Sequence, residues 1–151
     1  MNFVDDYLGS SHMAGLLDPD LFCRSLDLAG RLLATIIDQF DSIAFRGMSG
    51  AVIAGALAVR LKKPLILVRK PYDVTHSCFQ VEGNKAVRRY LIVDDFICSG
   101  ETVGAIKKAI ESFAPEAECI GVFQFQDGGL IGQGTKPLLH DGRKFGEGGM
   151  V

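Results

Sequence analysis

The stretch Tyr90-Leu91-Ile92-Val93-Asp94-Asp95-Phe96-Ile97-Cys98-Ser99-Gly100-Glu101-Thr102 decides the fold class. Tyr90 to Val93 is wholly apolar, which predicts a strand buried on both faces. Two carboxylates end it. A short turn of small and hydroxylated residues then leads into Thr102 to Phe113, where Val103, Ile106, Ala109 and Ile110 recur at helical spacing. The turn is suited to an anion, because the amides of a helix start point outward unpaired. Ser99 and Thr102 add hydroxyl donors, Gly100 lets the backbone come close, and the helix dipole adds roughly 0.3–1 kcal/mol. Asp94 and Asp95 would repel an anion that they faced, so they suit sugar hydroxyls or the water shell of a divalent cation. Taken alone, the turn reads as Asp95 closing a loop and Ser99 capping a helix. Two acids on the end of a wholly apolar strand favour a site instead.

Outward from this junction the pattern repeats. Asp18-Pro19-Asp20 is a helix start, with a capping carboxylate and proline at the first helical position. Phe22, Leu26, Ala29, Leu33, Ile36, Ile37 and Phe40 then mark one face of a helix over 18–40. Ser42 to Phe45 predicts a short buried strand, Arg46 to Gly50 a turn, and Ala51 to Leu61 an alanine-rich helix able to lie close to a sheet. Pro64 to Val68 predicts a second strand and Cys119 to Phe125 a fourth, with Cys78 to Val81 a possible short one between. Residues 69–88 are long and polar for a connection, as functional loops are. From 128 to 151 the chain is a glycine-rich tail with no assigned element. Strand and helix alternate, which predicts an α/β fold with a mostly parallel sheet flanked by helices and a Rossmann-like core. One domain over 1–151, with its core at about 40–125, fits the length.

Bulk properties narrow the function classes. The chain has 48% apolar and 23% charged residues and a formal net charge of −2, a balance that fits a globular protein without bulk attraction for nucleic acid. No apolar run reaches the roughly 18 residues of a membrane span. The N-terminus has no basic region followed by an apolar core, so no signal peptide is expected. Cys23, Cys78, Cys98 and Cys119 form no metal-ligand spacing, and reduced thiols in a cytoplasmic protein are expected.

Two further segments suit anions. Phe45-Arg46-Gly47-Met48-Ser49-Gly50 offers a cation and exposed amides at a strand-to-helix turn. Arg69-Lys70-Pro71-Tyr72 places two cations after the second strand. Each alone fits an ordinary turn or a charged strand flank.

With these residues in view, the segment Tyr90 to Thr102 resembles the phosphoribosyl diphosphate motif of type I phosphoribosyltransferases. Residues 40–71 are similar to the adenine phosphoribosyltransferase branch, in the turn around Arg46-Gly47 and in Val68-Arg69-Lys70-Pro71. The resemblance covers roughly 40–125. It implies that Asp94 and Asp95 hold the ribose hydroxyls, and that Cys98, Ser99, Gly100, Glu101 and Thr102 hold the 5-phosphate. It implies that Arg46, Gly47, Met48, Ser49, Arg69 and Lys70 hold the diphosphate, with a strained or cis peptide often found near Arg46. Lys70 would also stabilise the leaving group. Glu82, in Phe79-Gln80-Val81-Glu82-Gly83, is a loose match to a catalytic acid on a mobile loop. Phe96 and Ile97 would wall a base pocket, with Phe123 or Phe125 as a further wall or simply strand core. The implied activity is transfer of phosphoribose to a purine, adenine favoured, in nucleotide salvage. Magnesium would arrive with the diphosphate and need no direct protein ligand, and a homodimer is expected. Orotate as acceptor, or a non-catalytic sensor of phosphoribosyl diphosphate, are the alternatives. The chain departs from the family in a shorter loop before Glu82 and in Cys98, where oxopurine enzymes place an aspartate.

Overall fold

The computed structural model describes residues 14–72, 78–95, 100–125 and 129–132. It contains helices α1 (Ala14–Leu17), α2 (Pro19–Ala34), α3 (Gly47–Leu61) and α4 (Glu101–Phe113). The strands are β1 (Ser42–Phe45), β2 (Leu65–Val68), β3 (Val81–Gly83), β4 (Arg89–Asp94), β5 (Glu118–Gln124) and β6 (Gly129–Gly132). They form one six-stranded sheet in the order β3-β2-β1-β4-β5-β6. The four central strands are parallel, and β3 and β6 are antiparallel edges.

The alternation of side chains along each strand splits the core in two. Ile43, Phe45, Leu91, Val93 and Phe123 face α2 and α3, where they meet Leu26, Leu33, Ile53 and Leu57. Ala44, Ile66, Tyr90, Ile92 and Val122 face α4, where they meet Ile106 and Ile110. Helices therefore cover both faces, as the apolar strands require. The chain leaves β1 for β2 on one side and returns to β4 on the other. The ends of β1 and β4 thus form the switch point at which open sheets bind ligands.

The N-terminal helix starts as expected. Asp18 accepts hydrogen bonds from the amides of Asp20 and Leu21, both at 3.0 Å, and Pro19 opens the helix. It ends at Ala34 rather than near Phe40, because Thr35, Ile36 and Ile37 are a β-branched run that favours leaving the helix. A 3-10 turn over Ile37–Gln39 then brings Phe40 into the core.

Three other elements differ from expectation. Helix α3 begins at Gly47, not Ala51, so the glycine-rich turn is itself the first helical turn. An added Cβ at Gly50 would lie 3.6 Å from the Cβ of Phe45 and 3.8 Å from the Val93 carbonyl, so small residues there serve close packing on β1 and β4. The short strand lies at Val81–Gly83 rather than 78–81. Strand β6 arises from the glycine-rich region, where Gly-Leu-Ile-Gly pairs antiparallel to Gly121–Gln124. Among the described residues every peptide is trans, including the one preceding Gly47.

Candidate active site

The parallel register brings three strand ends to one edge of the sheet: Phe45 of β1, Val68 of β2 and Asp94 of β4. The residues that follow them, Arg46, Arg69-Lys70 and Asp95, therefore share that edge. The end of β5 adjoins them, and the Phe125 amide donates to the Asp94 carbonyl at 2.9 Å.

Asp94 is 8% exposed, among the few buried polar residues. Its Oδ1 accepts the Asp95 amide at 2.9 Å. Burial pushes its pKa up, and the neighbouring Asp95 carboxyl pushes it further, to about 7. The Asp95 amide and the charge of Lys70 act in the opposite direction without offsetting this. Lys70 also leans over the start of α3: a Cβ built on Gly47 would lie 3.9 Å from its Nζ. One ammonium thus stands near both the buried acid and the positive end of a helix. A cation placed against a helix N-terminus is favoured only when an anion lies between them.

Arg46 precedes α3 in an extended conformation, and its Nε is buried without a hydrogen-bond partner. A buried unpaired donor costs on the order of 1–3 kcal/mol, a cost that a bound anion would remove. Met48 is exposed and Ser49 half-buried on the first turn of α3. On α4, Gly100 adopts φ +80, a left-handed value that only glycine takes readily. It sets Glu101 and Thr102, both exposed, on the first turn, with that turn's amides facing out of the helix end. Phe96, Ile97, Cys98 and Ser99 lie outside the described residues.

Two expectations are corrected. Arg69 does not offer its guanidinium to the edge: Nη1 donates to the Phe79 carbonyl at 3.0 Å and Nη2 to Glu82 at 2.8 Å. Its backbone amide donates to the Gln80 carbonyl at 2.8 Å. Glu82 therefore sits on strand β3, opposite Leu67, as the ionic partner of Arg69, and not on a mobile loop. The physical reason is edge pairing. Glu82 flanks Val81 on a strand that β2 needs to satisfy its outer backbone groups, and Gly83 fits because an added Cβ would collide with the Leu65 carbonyl.

The sequence did not anticipate the contribution of the N-terminal helices. A cavity of about 420 Å³ opens beside Asp95, lined by Gly15, Leu16, Leu21, Arg24, Ser25 and Phe125. Phe125 is steadied by an edge contact with Phe22 at 5.9 Å between ring centroids. Phe123 is fully buried and belongs to the core, whereas Phe125 borders the cavity. Leu21 and Ser25 lie four apart on α2, a spacing that gave only the usual signal of a helix face. Among the described residues no three His, Cys, Asp or Glu side chains gather as metal ligands. No described helix is long and apolar enough to cross a membrane.

An open α/β sheet with paired acids at its switch point has them where sheets of this class bind ligands, and the helix N-terminus beside them suits an anion. No family model matches the chain. It is 31% identical over 121 residues to an adenine phosphoribosyltransferase of Trichlorobacter lovleyi, covering 69% of each chain. It is 31% identical over 109 residues to an adenine phosphoribosyltransferase of Ureaplasma parvum, covering 56% of this chain and 63% of that one. An orotate phosphoribosyltransferase of Thermococcus gammatolerans is 29% identical over 123 residues, 78% of this chain and 63% of the relative. Among solved structures, adenine phosphoribosyltransferase from Saccharomyces cerevisiae superposes with a TM-score of 0.60 at 24% identity, over 74% of this chain and 71% of that one. Orotate phosphoribosyltransferase from Aeropyrum pernix gives 0.58 at 21% identity, over 74% and 62%. The chain belongs to the type I phosphoribosyltransferase family. It spans about 63% of the length of the Ureaplasma relative.

Proposed function

We propose that the protein transfers phosphoribose from phosphoribosyl diphosphate to a nucleobase, giving a nucleoside monophosphate and diphosphate. The observation that carries this is the buried Asp94 beside Asp95, held at the switch point under Lys70 and between the starts of α3 and α4. Asp94 and Asp95 accept hydrogen bonds from the ribose hydroxyls and fix the sugar, and positioning is itself a large part of catalysis. The first-turn amides of α4 with Thr102 take the 5-phosphate. Arg46, Lys70 and the first turn of α3 take the diphosphate and stabilise its charge as the anomeric bond breaks. Magnesium enters as part of the substrate, bound to the diphosphate, and needs no cluster of protein ligands. Arg69 and Glu82 brace the β2–β3 edge that carries Lys70.

Adenine is the first candidate for the acceptor, supported by the names of the Trichlorobacter and Ureaplasma relatives. Orotate is the second, supported by the Thermococcus relative, whose match covers more of this chain. A role in nucleotide salvage follows from the first. A homodimer is supported by α3, whose outward Met48 and Val59 are about four-fifths exposed on a helix with Ser49 and Arg60 as its polar residues. Incubation with magnesium, phosphoribosyl diphosphate and each of adenine, hypoxanthine, guanine, orotate and uracil, with diphosphate release as readout, tests the reaction. Release with one base establishes the activity and its acceptor. Tight binding of phosphoribosyl diphosphate without release would point to a sensor, and no binding would remove the proposal.

A further inference from the structure

The cavity beside Asp95 is the feature that phosphate and diphosphate contacts leave unused. Its volume of about 420 Å³ falls in the range of small-molecule sites, roughly 300–1,000 Å³. Leu16, Leu21 and Phe125 give it apolar walls, which suit a flat heteroaromatic ring. Its polar groups are divided. Asp95 is the acid proposed to hold the ribose, so the sugar's reacting carbon would lie toward that side. Arg24 and Ser25 come from α2, on the helical side of the cavity.

Like Arg46, whose Nε has no partner, Arg24 differs from the two paired arginines. Arg69 is bound to Glu82, and Arg60 is paired with Asp27 at 2.5 Å. Arg24 is exposed and makes no ion pair or hydrogen bond among the described residues, and among those lining the cavity it is the only cation. Resting on the phosphoribosyl-transfer proposal above, we propose that Arg24 is a specificity-determining residue that binds the hydrogen-bond acceptor edge of the base. A guanidinium carries donors only, so it recognises a carboxylate, a carbonyl oxygen or a ring nitrogen and offers nothing to an exocyclic amine. Ser25 can donate or accept and does not discriminate in the same way. A charge-assisted contact is about twice as strong as a neutral one, so the contribution of Arg24 rises from an aminopurine to an oxopurine to a carboxylated pyrimidine.

The test compares wild type with Arg24→Gln, Arg24→Lys and Arg24→Ala. Steady-state assays use adenine, hypoxanthine and orotate, and thermal melting confirms that the exposed substitutions leave the fold intact. The expected result is a KM for the transferred base raised roughly tenfold or more in Arg24→Ala. The KM for phosphoribosyl diphosphate should stay within about twofold, and Arg24→Lys should retain part of the effect because it keeps the charge and loses the fork. A base KM unchanged in both Arg24→Ala and Arg24→Gln overturns the inference and leaves the enzymatic proposal standing. If no base is turned over, the enzymatic proposal falls, and calorimetric titration of wild type and Arg24→Ala with orotate and adenine decides the cavity separately. Binding that is lost in Arg24→Ala upholds the role of Arg24. Absent binding, or binding that ignores the substitution, overturns it.

Discussion

Two aspartates stand at opposite edges of the sheet, and the fold treats them in opposite ways. Asp41, just before β1, is fully employed. Its Oδ2 accepts the amides of Arg88 at 2.9 Å and Arg89 at 3.0 Å, and its Oδ1 accepts the Ser42 hydroxyl at 2.7 Å. Asn84 completes the knot by donating to Ser42 Oγ at 3.1 Å. Partial burial pushes the Asp41 pKa up, but these bonds and the charge of Arg89 outweigh it, and the net shift is downward. Asp94, at the end of β4, is more deeply buried, accepts one backbone amide and faces a second carboxyl, and its pKa rises to about 7. One carboxylate holds the fold together. The other is buried at a cost that the folded chain alone does not offset, the pattern expected of the ligand site proposed for it.

The sharpest way to break this comparison is to neutralise the acids at the β4 end. Asp94→Asn with Asp95→Asn should lower turnover roughly a thousandfold or more, because the ribose loses its anchor while the chain still folds. Full activity in that variant would make Asp94 another structural acid. Stability should move the other way. Between pH 3.8 and about 7, folded Asp94 holds a proton that the unfolded chain has released. Its contribution is therefore present below pH 3.8 and is lost as pH rises through 7. Asp94→Asn removes that loss, so at pH 8 it should be more stable than wild type by on the order of 1–3 kcal/mol, shrinking toward pH 4. Urea denaturation at several pH values reads this directly, and a destabilised Asp94→Asn at pH 8 would show that Asp94 is satisfied as Asp41 is.

The next largest effect is expected at the other edge. Asp41→Ala should destabilise by about 1–2 kcal/mol, since it strands two amides and a hydroxyl. Turnover per folded molecule should not change, because Asp41 lies at the far end of β1. The sign with pH is reversed here: the Asp41 contribution is present above 3.8 and is lost as pH falls below it. A stability loss in Asp41→Ala that disappears in acid, set against a gain in Asp94→Asn that appears only at high pH, would separate the two roles in one experiment.

The sequence made the site's centre legible because its constraint is local. An apolar strand, two acids and a Gly-containing turn are contiguous, and period alone places them at a strand-to-helix junction. The four parallel strands and three longer helices were legible for the same reason. What escaped depended on distant partners. Glu82 looks like a loop residue until β2 is seen to need an edge partner, and Arg69 looks free until Glu82 is placed. Strand β6 was hidden by glycine, which has no pattern of its own, although Leu130-Ile131 was a weak signal. The cavity was hidden for a third reason. Apart from Phe125, its lining comes from helices more than sixty residues away from Asp95, and nothing in Leu21, Arg24 or Ser25 marks them apart from an ordinary helix surface.

The smallest effect concerns the carboxylate that lies between the two extremes. Glu82 is half-exposed and paired with Arg69, whose guanidinium also holds the Phe79 carbonyl. A partly exposed pair of this kind contributes on the order of 0.2–1 kcal/mol, and salt screens it. Glu82→Gln should therefore shift the urea midpoint slightly, by less in high salt, and alter turnover by no more than about threefold through the placement of Lys70. A general acid would behave otherwise, because its removal costs roughly a hundredfold or more and flattens one limb of the pH–rate profile. If Glu82→Gln loses activity on that scale with its stability intact, then the strand β3 that binds Glu82 to Arg69 must open during the reaction, and Glu82 joins Asp94 as a carboxylate kept for the substrate.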